Sequence, residues 1–588
     1  MIRQSWNFLR ELRRRRVFRT AGIYIVSAWV LLQVVALAFQ SFSIPDEALR
    51  YVWIAASIGL PVALIFGWFF DITPKGVVRT KPATGSEDLG LRRGDFAIIT
   101  ALAAVTIVIM GGMINEIRRM PALQSGPWYA AERLAAAIAV LPFENLSGDE
   151  NQDYLSAGLH DALTTTLSRV SRFRVTSRFS TRLMGGDVEL PEIRRVLGVD
   201  KALFGSVLRD DEQVRINVTL IDLETEKTIW TDSFTRQFEG LIAMQNEITS
   251  AIAREVNITL TPEEERQLSP TAEVDGDTYE AYLRAMVQLR RGTPRGYRRA
   301  IEILNEAVDN DPTSALAYAA MGIGYSQLGH SPFPVSGASL RARAAADRAL
   351  EYDPNLAEAH LALGMHRAYY AWDFEGAEES YLRALELNPS HVDAHYHYAW
   401  LLELLNRDEE ALRHGDYTKE LNPLSPFYTA WLAEQYADAG QHERAIKEAQ
   451  ETLDLNPTYP VAWLTLGNAY LDMGRYDEAV AAHEHLRDSG FWGWVLTATL
   501  AERGRQEDAR LIAENIASGT NNEFTLALTY CSLRDRDACI HHMETAREKR
   551  HPWFPWLVAW FRPMRFLHDD PRMQEFADDL GIRLPNRG

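Results

Sequence analysis

An Asn-Pro or Asp-Pro dipeptide recurs through the second half of the chain. Its proline falls at Pro312, Pro354, Pro389, Pro423 and Pro457, and three of the four intervals are 34 or 35 residues. This period is typical of a solenoid of stacked helix-turn-helix units, in which each unit buries its apolar face against its neighbours. The period predicts an all-α superhelix over residues 279–588, with roughly seven to eight units between residues 279 and 552.

The units also share a motif. In "AWLTLGNAYLDMGRYDEAVAAHEHL", the residues Trp463, Leu466, Gly467, Tyr470 and Ala479 fit the spacing W-x2-L-G-x2-Y…A. The segments "HLALGMHRAYYAWDFEGAEESYLRALELNP" and "TAWLAEQYADAGQHERAIKEAQETLDLNP" fit the same frame. This half of the chain therefore resembles tetratricopeptide repeat (TPR) proteins, which implies that it binds proteins or peptides. The small Gly467 and Ala479 are expected to let two helices pack closely.

The first helix of each unit is expected to line a concave groove that accepts a peptide or a partner helix. The candidate protein-binding positions are Leu361, Met365, Tyr396, Trp400, Glu434, Leu464 and Asn468. TPR domains that grip chaperone tails use a Lys and an Asn to clamp a terminal carboxylate, and the corresponding pairs here lack the cation. An alternative stays open, in which the aromatic residues pack against neighbouring repeats or the chain's own termini.

An aromatic stretch, "HPWFPWLVAWFRPMRFL", occupies residues 551–567 near the end of the solenoid. Two interpretations are open for it. The stretch could fold over the last repeat as a cap, or it could form an exposed patch that binds a partner.

The segment 135–261 has a mixed α/β pattern. "AAIAVLPF" reads as a short buried strand, residues 154–168 have apolar residues at helical spacing, and "VRINVTL" alternates as a half-buried strand does. Together with "LGVDKALFGSVLRDDEQVRINVTLIDLETEKTIWTDSF" and "MQNEITSAIA", these motifs resemble the TolB amino-terminal-like domain of bacterial envelope and signalling proteins. That resemblance implies a non-catalytic α/β domain that meets other proteins. Linkers are expected at 116–134 and 262–278.

Three apolar runs of about 20 residues, long enough to cross a bilayer, lie near the amino terminus at 17–39, 51–70 and 96–114. We expect a three-helix membrane anchor over residues 17–115, with the first span retained or cleaved as a signal. Basic residues cluster in the tail 1–16 and in the second loop, whereas the first loop "SFSIPDEAL" has none. The positive-inside rule therefore predicts a cytoplasmic amino terminus and second loop in the bacterial inner membrane, with everything after residue 115 in the periplasm.

The order of anchor, TolB-like domain and repeats resembles a bacterial family of membrane-anchored proteins, some of which carry a cyclase or DNA-binding domain at the cytoplasmic end. No such output domain is expected here. Residues after 120 carry a net charge of −26, which argues against nucleic acid as a partner. The fold class is thus multidomain: three transmembrane helices, a small α/β domain and an all-α TPR solenoid.

Catalytic and metal-binding motifs are not evident. The chain has no glycine-rich phosphate loop, no G-x-S-x-G elbow and no cysteine with an arguable histidine partner. "LSGDENQDYLSAGL" begins like a calcium loop but has Tyr154 and His160 where such a loop needs Gly and Glu, and "HVDAHYH" and "HEH" lack further ligands. No cofactor or metal is expected.

Three functions stay open: an interaction scaffold, a sensor or regulator of a separate cytoplasmic partner, and an unrecognised enzyme, with the scaffold preferred. A homo-oligomer also stays open. Cys531 and Cys539 flank a short turn between two predicted helices, where they form either a disulfide or two unpaired core thiols.

Overall fold

The structure is a computed structural model that describes residues 70–73, 76–79, 136–184, 188–210, 213–268, 275–331, 333–489 and 491–584. The chain divides into two units, 1–124 and 125–588. In the first unit, β1 (Phe70–Thr73) and β2 (Gly76–Arg79) form an antiparallel hairpin. Phe70, predicted to end the second membrane span, therefore begins a strand, and the remainder of the three predicted spans lies outside the described residues. Within the described ranges, no helix combines the length and apolar character needed to cross a bilayer.

The second unit begins with a small α/β domain built on one mixed sheet. In chain order its elements are β3 (Ala136–Val140), β4 (Glu144–Asn145), α1 (Asp153–Ser168), β5 (Phe173–Val175), α2 (Arg178–Arg182), α3 (Leu190–Leu197), β6 (Lys201–Asp210), β7 (Gln213–Asp222), β8 (Lys227–Gln237), α4 (Leu241–Glu255) and α5 (Pro262–Gln267). Across the sheet the main strands are ordered β5-β3-β6-β7-β8, with β4 paired to β6. Strands β5, β3 and β6 are parallel to one another, and β6, β7 and β8 form an antiparallel meander.

The calcium-like stretch is the turn between β4 and α1. The carboxylate of Asp149 accepts hydrogen bonds from the backbone N–H of Asn151 at 2.9 Å and from its side-chain amide at 2.8 Å. These bonds cap the short 3-10 turn Glu150–Gln152 that leads into α1. Asp149 therefore has a structural role that needs no ion.

Eight antiparallel helical pairs follow in the described residues. They are α6 (Gly276–Leu289) with α7 (Pro294–Asn310), α8 (Ala315–Gly329) with α9 (Ala338–Tyr352), α10 (Ala357–His366) with α11 (Phe374–Leu387), α12 (Val392–Leu404) with α13 (Asp408–Leu421), α14 (Pro426–Asp438) with α15 (His442–Leu455), α16 (Pro460–Asp472) with α17 (Tyr476–Glu484), α18 (Gly493–Glu502) with α19 (Gln506–Gly519), and α20 (Glu523–Ser532) with α21 (Arg536–Glu548). A π-helical turn, Arg367–Ala371, extends α10. After the last pair come α22 (Phe554–Ala559), a 3-10 turn (Arg562–Leu567) and α23 (Pro571–Leu580).

Small residues are required where the two helices of a pair cross. A Cβ atom at Gly467 would overlap Nε2 of His483, and one at Gly364 would lie 2.6 Å from the Tyr381 ring. Neither position has room for a side chain, since a buried ring fills the space. The expected close packing at Gly467 is present, and Ala479 is likewise fully buried.

The α/β domain and the first repeats share one core. Tyr279 and Leu283 of α6 belong to the same hydrophobic cluster as the residues of α1 and α4 that cover the sheet. A Cβ at Gly158 would lie 2.9 Å from Cβ of Leu283, so the backbone of α1 packs directly against the Leu283 side chain of α6. The predicted linker 262–278 differs from the structure here: it contains α5, whose Glu264 accepts hydrogen bonds from the backbone N–H and hydroxyl of Ser171.

A buried ion pair joins the same two parts. The carboxylate of Asp161 on α1 pairs with the guanidinium of Arg290 at the end of α6, and Arg178 lies 3.7 Å from it. The side chains of Asp161 and Arg290 are 5% and 13% exposed. Nearby, the Ser180 hydroxyl donates to the Asn422 side chain at 2.7 Å, and the Ser177 backbone N–H donates to the Leu421 carbonyl at 2.7 Å. Polar contacts therefore join the domain to the end of α6 and to the end of α13.

Cys531 at the end of α20 and Cys539 on α21 face each other across their turn. The structure joins their sulfur atoms in a disulfide, with a Cα–Cα separation of 4.9 Å. Of the two alternatives that the sequence left open, this geometry matches the bridge.

Candidate protein-binding groove

First helices of successive pairs pack on one another, as α8 does on α10, α14 on α16 and α18 on α20, and in a TPR solenoid these helices line the concave surface. We call α8, α10, α12, α14, α16, α18 and α20 the inner helices. All seven residues predicted to line a groove lie on α10, α12, α14 or α16. Five are buried, and Trp400 and Asn468 are partly exposed. The sequence left two alternatives open, a groove free for a partner or aromatic residues packed against neighbouring repeats or the chain's own termini, and the burial of these five residues matches the second.

The groove is covered by the chain's own aromatic stretch. We call residues 553–565 the C-terminal segment. Between ring centroids, Trp556 lies 4.8 Å from Tyr369 and 6.1 Å from Trp400, and Trp560 lies 5.4 Å from Trp400. Trp556 and Trp560 are 1% and 7% exposed. The segment therefore occupies the groove as a bound peptide would, and the alternative of an exposed aromatic patch does not hold for these two residues.

The segment also contacts the last repeat, as a cap does. The ring of Phe561 lies 5.3 Å from that of Phe524 on α20, and Phe554 packs 5.6 Å from Phe576 on α23. The stretch thus contacts both the end of the solenoid and its middle. The predicted cap would have contacted the last repeat alone.

Four carboxylates edge the groove at the C-terminal turns of consecutive inner helices, and we call them the acidic rim. They are Glu403, Asp438, Asp472 and Glu502. An anion at a helix C-terminus faces the negative end of the helix dipole, and neighbouring anions repel one another. The rim therefore favours a partner with cationic or hydrogen-bond-donating groups.

The C-terminal segment supplies those groups. The indole N–H of Trp560 donates to Glu403 at 2.8 Å. Arg562 pairs with Asp472 and lies 3.6 Å from Glu502, while Arg565 lies 3.4 Å from Asp438 and 3.9 Å from Asp472. Burial lowers the pKa of Arg562, but the carboxylates of Asp472 and Glu502 outweigh it and leave that pKa raised. The groove thus matches the segment in charge and in apolar contact.

Glu434 lies under the rim as a buried acid. Its carboxyl is held by the Thr465 hydroxyl at 2.6 Å and the Asn468 amide at 2.8 Å. Burial and, to a smaller extent, the nearby charge of Asp438 raise the pKa of Glu434 to about 8, even though the two hydrogen bonds oppose the shift. Glu434 is therefore mostly protonated at neutral pH, which limits the negative charge below the rim.

This shift predicts a pH-dependent stability. The folded-state pKa of Glu434 lies above its usual value of 4.5, so the folded state binds the proton more tightly than the unfolded state and loses stability as pH rises from about 4.5 to about 8. In Glu434→Gln that loss is absent, because the amide cannot ionise and Thr465 can accept from it. Between pH 6 and pH 8 the wild type should lose about 2 kcal/mol relative to the variant. Urea denaturation at both pH values measures this, and parallel pH profiles would contradict it.

The acidic rim was not among the predicted site residues, although the sequence contains a signal for it. Glu403, Asp438 and Asp472 are spaced by 35 and 34 residues, the same period as the proline dipeptides. A carboxylate repeated in register must fall on the same helix end in each unit, and hence on one edge of the groove.

The histidines noted in the sequence pack within the repeats. His395 contacts Nδ1 of His414 at 2.7 Å and the Pro389 carbonyl at 2.9 Å, and His483 contacts the Thr499 hydroxyl at 2.7 Å. Burial lowers the pKa of His395 and of His483 to about 4 each, which keeps both rings neutral. In the described part of the chain, no group of three or more His, Cys, Asp or Glu residues is arranged to hold a metal ion.

Three segments match protein families. Residues 366–426 and 436–489 match two tetratricopeptide repeat families, which confirms the TPR prediction for this part of the chain. Residues 134–251, the α/β domain, match a family described as the HilA/YgeH-like transcriptional regulator, second domain.

A curated relative shares part of the chain. Over 190 residues, this chain is 34% identical to a Rhizobium meliloti (strain 1021) protein named "Putative adenylate cyclase 3", and the match covers 32% of each chain. The chain thus spans about a third of that relative's length.

Several solved structures match parts of this chain at low sequence identity and low TM-score. A tetratricopeptide repeat protein from Parabacteroides merdae is 18% identical, with 44% of this chain and all of that one covered and a TM-score of 0.33. Pseudomonas aeruginosa pilF is 19% identical, with 46% and 98% covered and a TM-score of 0.27. TolB from Acinetobacter baumannii is 17% identical, with 21% and 28% covered and a TM-score of 0.17.

Proposed function

We propose that this chain is a non-enzymatic scaffold that binds a protein segment in its TPR groove. The observation that carries the proposal is the groove itself: aromatic inner helices edged by the acidic rim, with a peptide-like segment already seated on them. TPR domains use such inner surfaces for extended peptides and helices. The α/β domain, which we propose to be TolB-like, is fixed to the same solenoid and would present a second protein-binding surface. Nucleotide cyclisation, named for the Rhizobium relative, is not part of the proposal.

A photocrosslinking amino acid in intact cells tests the scaffold. Met473, which is 37% exposed, directly follows the rim residue Asp472, and Leu511, which is 70% exposed, lies on α19 away from the inner helices. With the probe at position 473, we expect one discrete adduct that is absent with the probe at 511 and lost when Asp438→Lys and Asp472→Lys are added. The same adducts at both positions, or adducts that persist without the rim charges, would overturn the proposal.

We propose further that residues 17–115 anchor the chain in the bacterial inner membrane and that the repeats lie in the periplasm. The asymmetry of basic residues in the amino-terminal loops supports this orientation. Thr225 is exposed in the turn between β7 and β8, so Thr225→Cys offers an accessible thiol. A membrane-impermeant thiol reagent should label it in intact cells, whereas Ser5→Cys in the predicted cytoplasmic tail should be labelled only after lysis. The reverse pattern would exclude the predicted orientation.

A further inference from the structure

The C-terminal segment presents its recognition groups in a definite pattern. Trp556 and Trp560 are four residues apart along α22 and its last turn, so both indoles lie on one side of the helix. Arg562 and Arg565 are three residues apart in a 3-10 turn, where side chains at i and i+3 are eclipsed. The segment thus places two indoles and then two guanidiniums along the groove.

Groove residues from different repeats contact these indoles and guanidiniums. The indoles meet Tyr369, Trp400 and Glu403, and the guanidiniums meet Asp438, Asp472 and Glu502. Without cations beside them, the carboxylates of the acidic rim would repel one another and would interact unfavourably with the negative ends of the helix dipoles. The inner surface is therefore matched to a basic, tryptophan-bearing peptide rather than to any apolar one.

We propose that the groove's partner is a protein segment with this same pattern, W-x3-W-x-R-x2-R, and that the chain's own C-terminal segment competes with it as an intramolecular inhibitor. This inference rests on the proposed scaffold function. The segment is tethered at both ends, by α21 and by α23, so its effective concentration at the groove is on the order of millimolar. A partner therefore binds only when residues 549–570 open.

Contacts on either side of the C-terminal segment attach its two ends to the rest of the fold. Arg550 lies 4.3 Å from the centre of the Trp372 ring and donates to the Tyr370 carbonyl at 3.2 Å. On the other side, Arg536 and Arg572 both pair with Asp570. These contacts hold the two ends of the segment without covering the acidic rim. Reversing the charge of the arginines that contact the rim should therefore free the segment while the rest of the fold stays intact.

The experiment uses the full-length chain in detergent and a fluorescein-labelled peptide of residues 551–568. In Arg562→Glu/Arg565→Glu, the chain's own segment is repelled by the rim, and we expect the peptide to bind at least ten-fold tighter than to the wild type. Arg487→Glu/Arg505→Glu is the matched control, because it makes the same charge change at residues that pair with Glu484 on α17 and Asp508 on α19 instead of with the acidic rim. The control should bind the peptide as weakly as the wild type.

A charge reversal in the rim provides the second test. Adding Asp438→Arg and Asp472→Arg to Arg562→Glu/Arg565→Glu should close the segment again and return peptide binding to the wild-type level. Limited proteolysis of residues 553–565 reports the opening independently of the peptide.

Three results would overturn the proposal. If the segment stays protected from protease in Arg562→Glu/Arg565→Glu, the arginines do not hold it closed. If it opens but the peptide does not bind, the segment is a structural cap, and the crosslinking at position 473 still decides the scaffold function by itself. If the opened chain instead dimerises by exchanging segments, the occupant of the groove is a second copy and not a separate partner.

Discussion

Replacing Trp556 with alanine is expected to lower the free energy of unfolding by about 3–5 kcal/mol, the usual cost of truncating a buried tryptophan. Trp556 is 1% exposed and lies between Tyr369 and Trp400 at the centre of the groove. The cavity cannot fill easily, because its walls belong to inner helices that neighbouring repeats hold in place. The same variant should expose residues 553–565 to protease. Urea denaturation measures the first effect and limited proteolysis the second.

Trp463→Ala is the matched control for that prediction. The Trp463 ring stacks on His485 at 3.7 Å and is only partly buried, and its indole N–H donates to the Pro457 carbonyl at 3.0 Å. We expect a loss of about 1 kcal/mol, since less area is buried and no closed cavity forms. Equal losses for the two variants would show that the C-terminal segment contributes no more to stability than a surface contact.

Replacing Arg290 with methionine is expected to cost about 3–5 kcal/mol, because it leaves the buried carboxylate of Asp161 with the more distant guanidinium of Arg178 and the neutral ring of His160 as neighbours. Burial lowers the pKa of Arg290 to about 9, because the site excludes the water that would solvate a charged guanidinium. The loss should appear at the contact between the α/β domain and the first repeat. Hydrogen exchange of α1 and α6 locates it, and urea denaturation gives its size.

A double variant separates pairing from packing at the same site. In Asp161→Leu/Arg290→Met both charges are replaced by apolar side chains, and such replacements of buried ion pairs are often neutral. Most of the stability lost in Arg290→Met should therefore return. If the double variant is as unstable as the single one, then the shape of these side chains, and not the unpaired charge, explains the loss.

The repeats could be predicted because their signal is local. Prolines at a period of 34 or 35 residues and the small residue at Gly467 belong to single helical pairs, each of which has the same two faces to bury. The α/β domain was also predicted from local patterns, such as the alternation along β7 that gives Val214, Ile216 and Val218 buried positions.

The state of the groove could not be predicted in the same way. Positions such as Trp400 and Glu434 were placed on the inner helices from the repeat frame, but whether that surface is open depends on where residues 553–565 return. That return joins residues more than 150 positions apart, as between Trp560 and Glu403, and no periodicity encodes it.

By itself, the sequence of this protein determined the repeated helical pairs, the α/β pattern before them and the aromatic stretch after them, since each depends on residues a few positions apart. Only the tertiary structure decided that α6 shares its core with the α/β domain and that the C-terminal segment fills the groove. The physical reason is that the acidic rim combines the last turns of four separate helices. Its charge is then neutralised by arginines that lie far away along the chain.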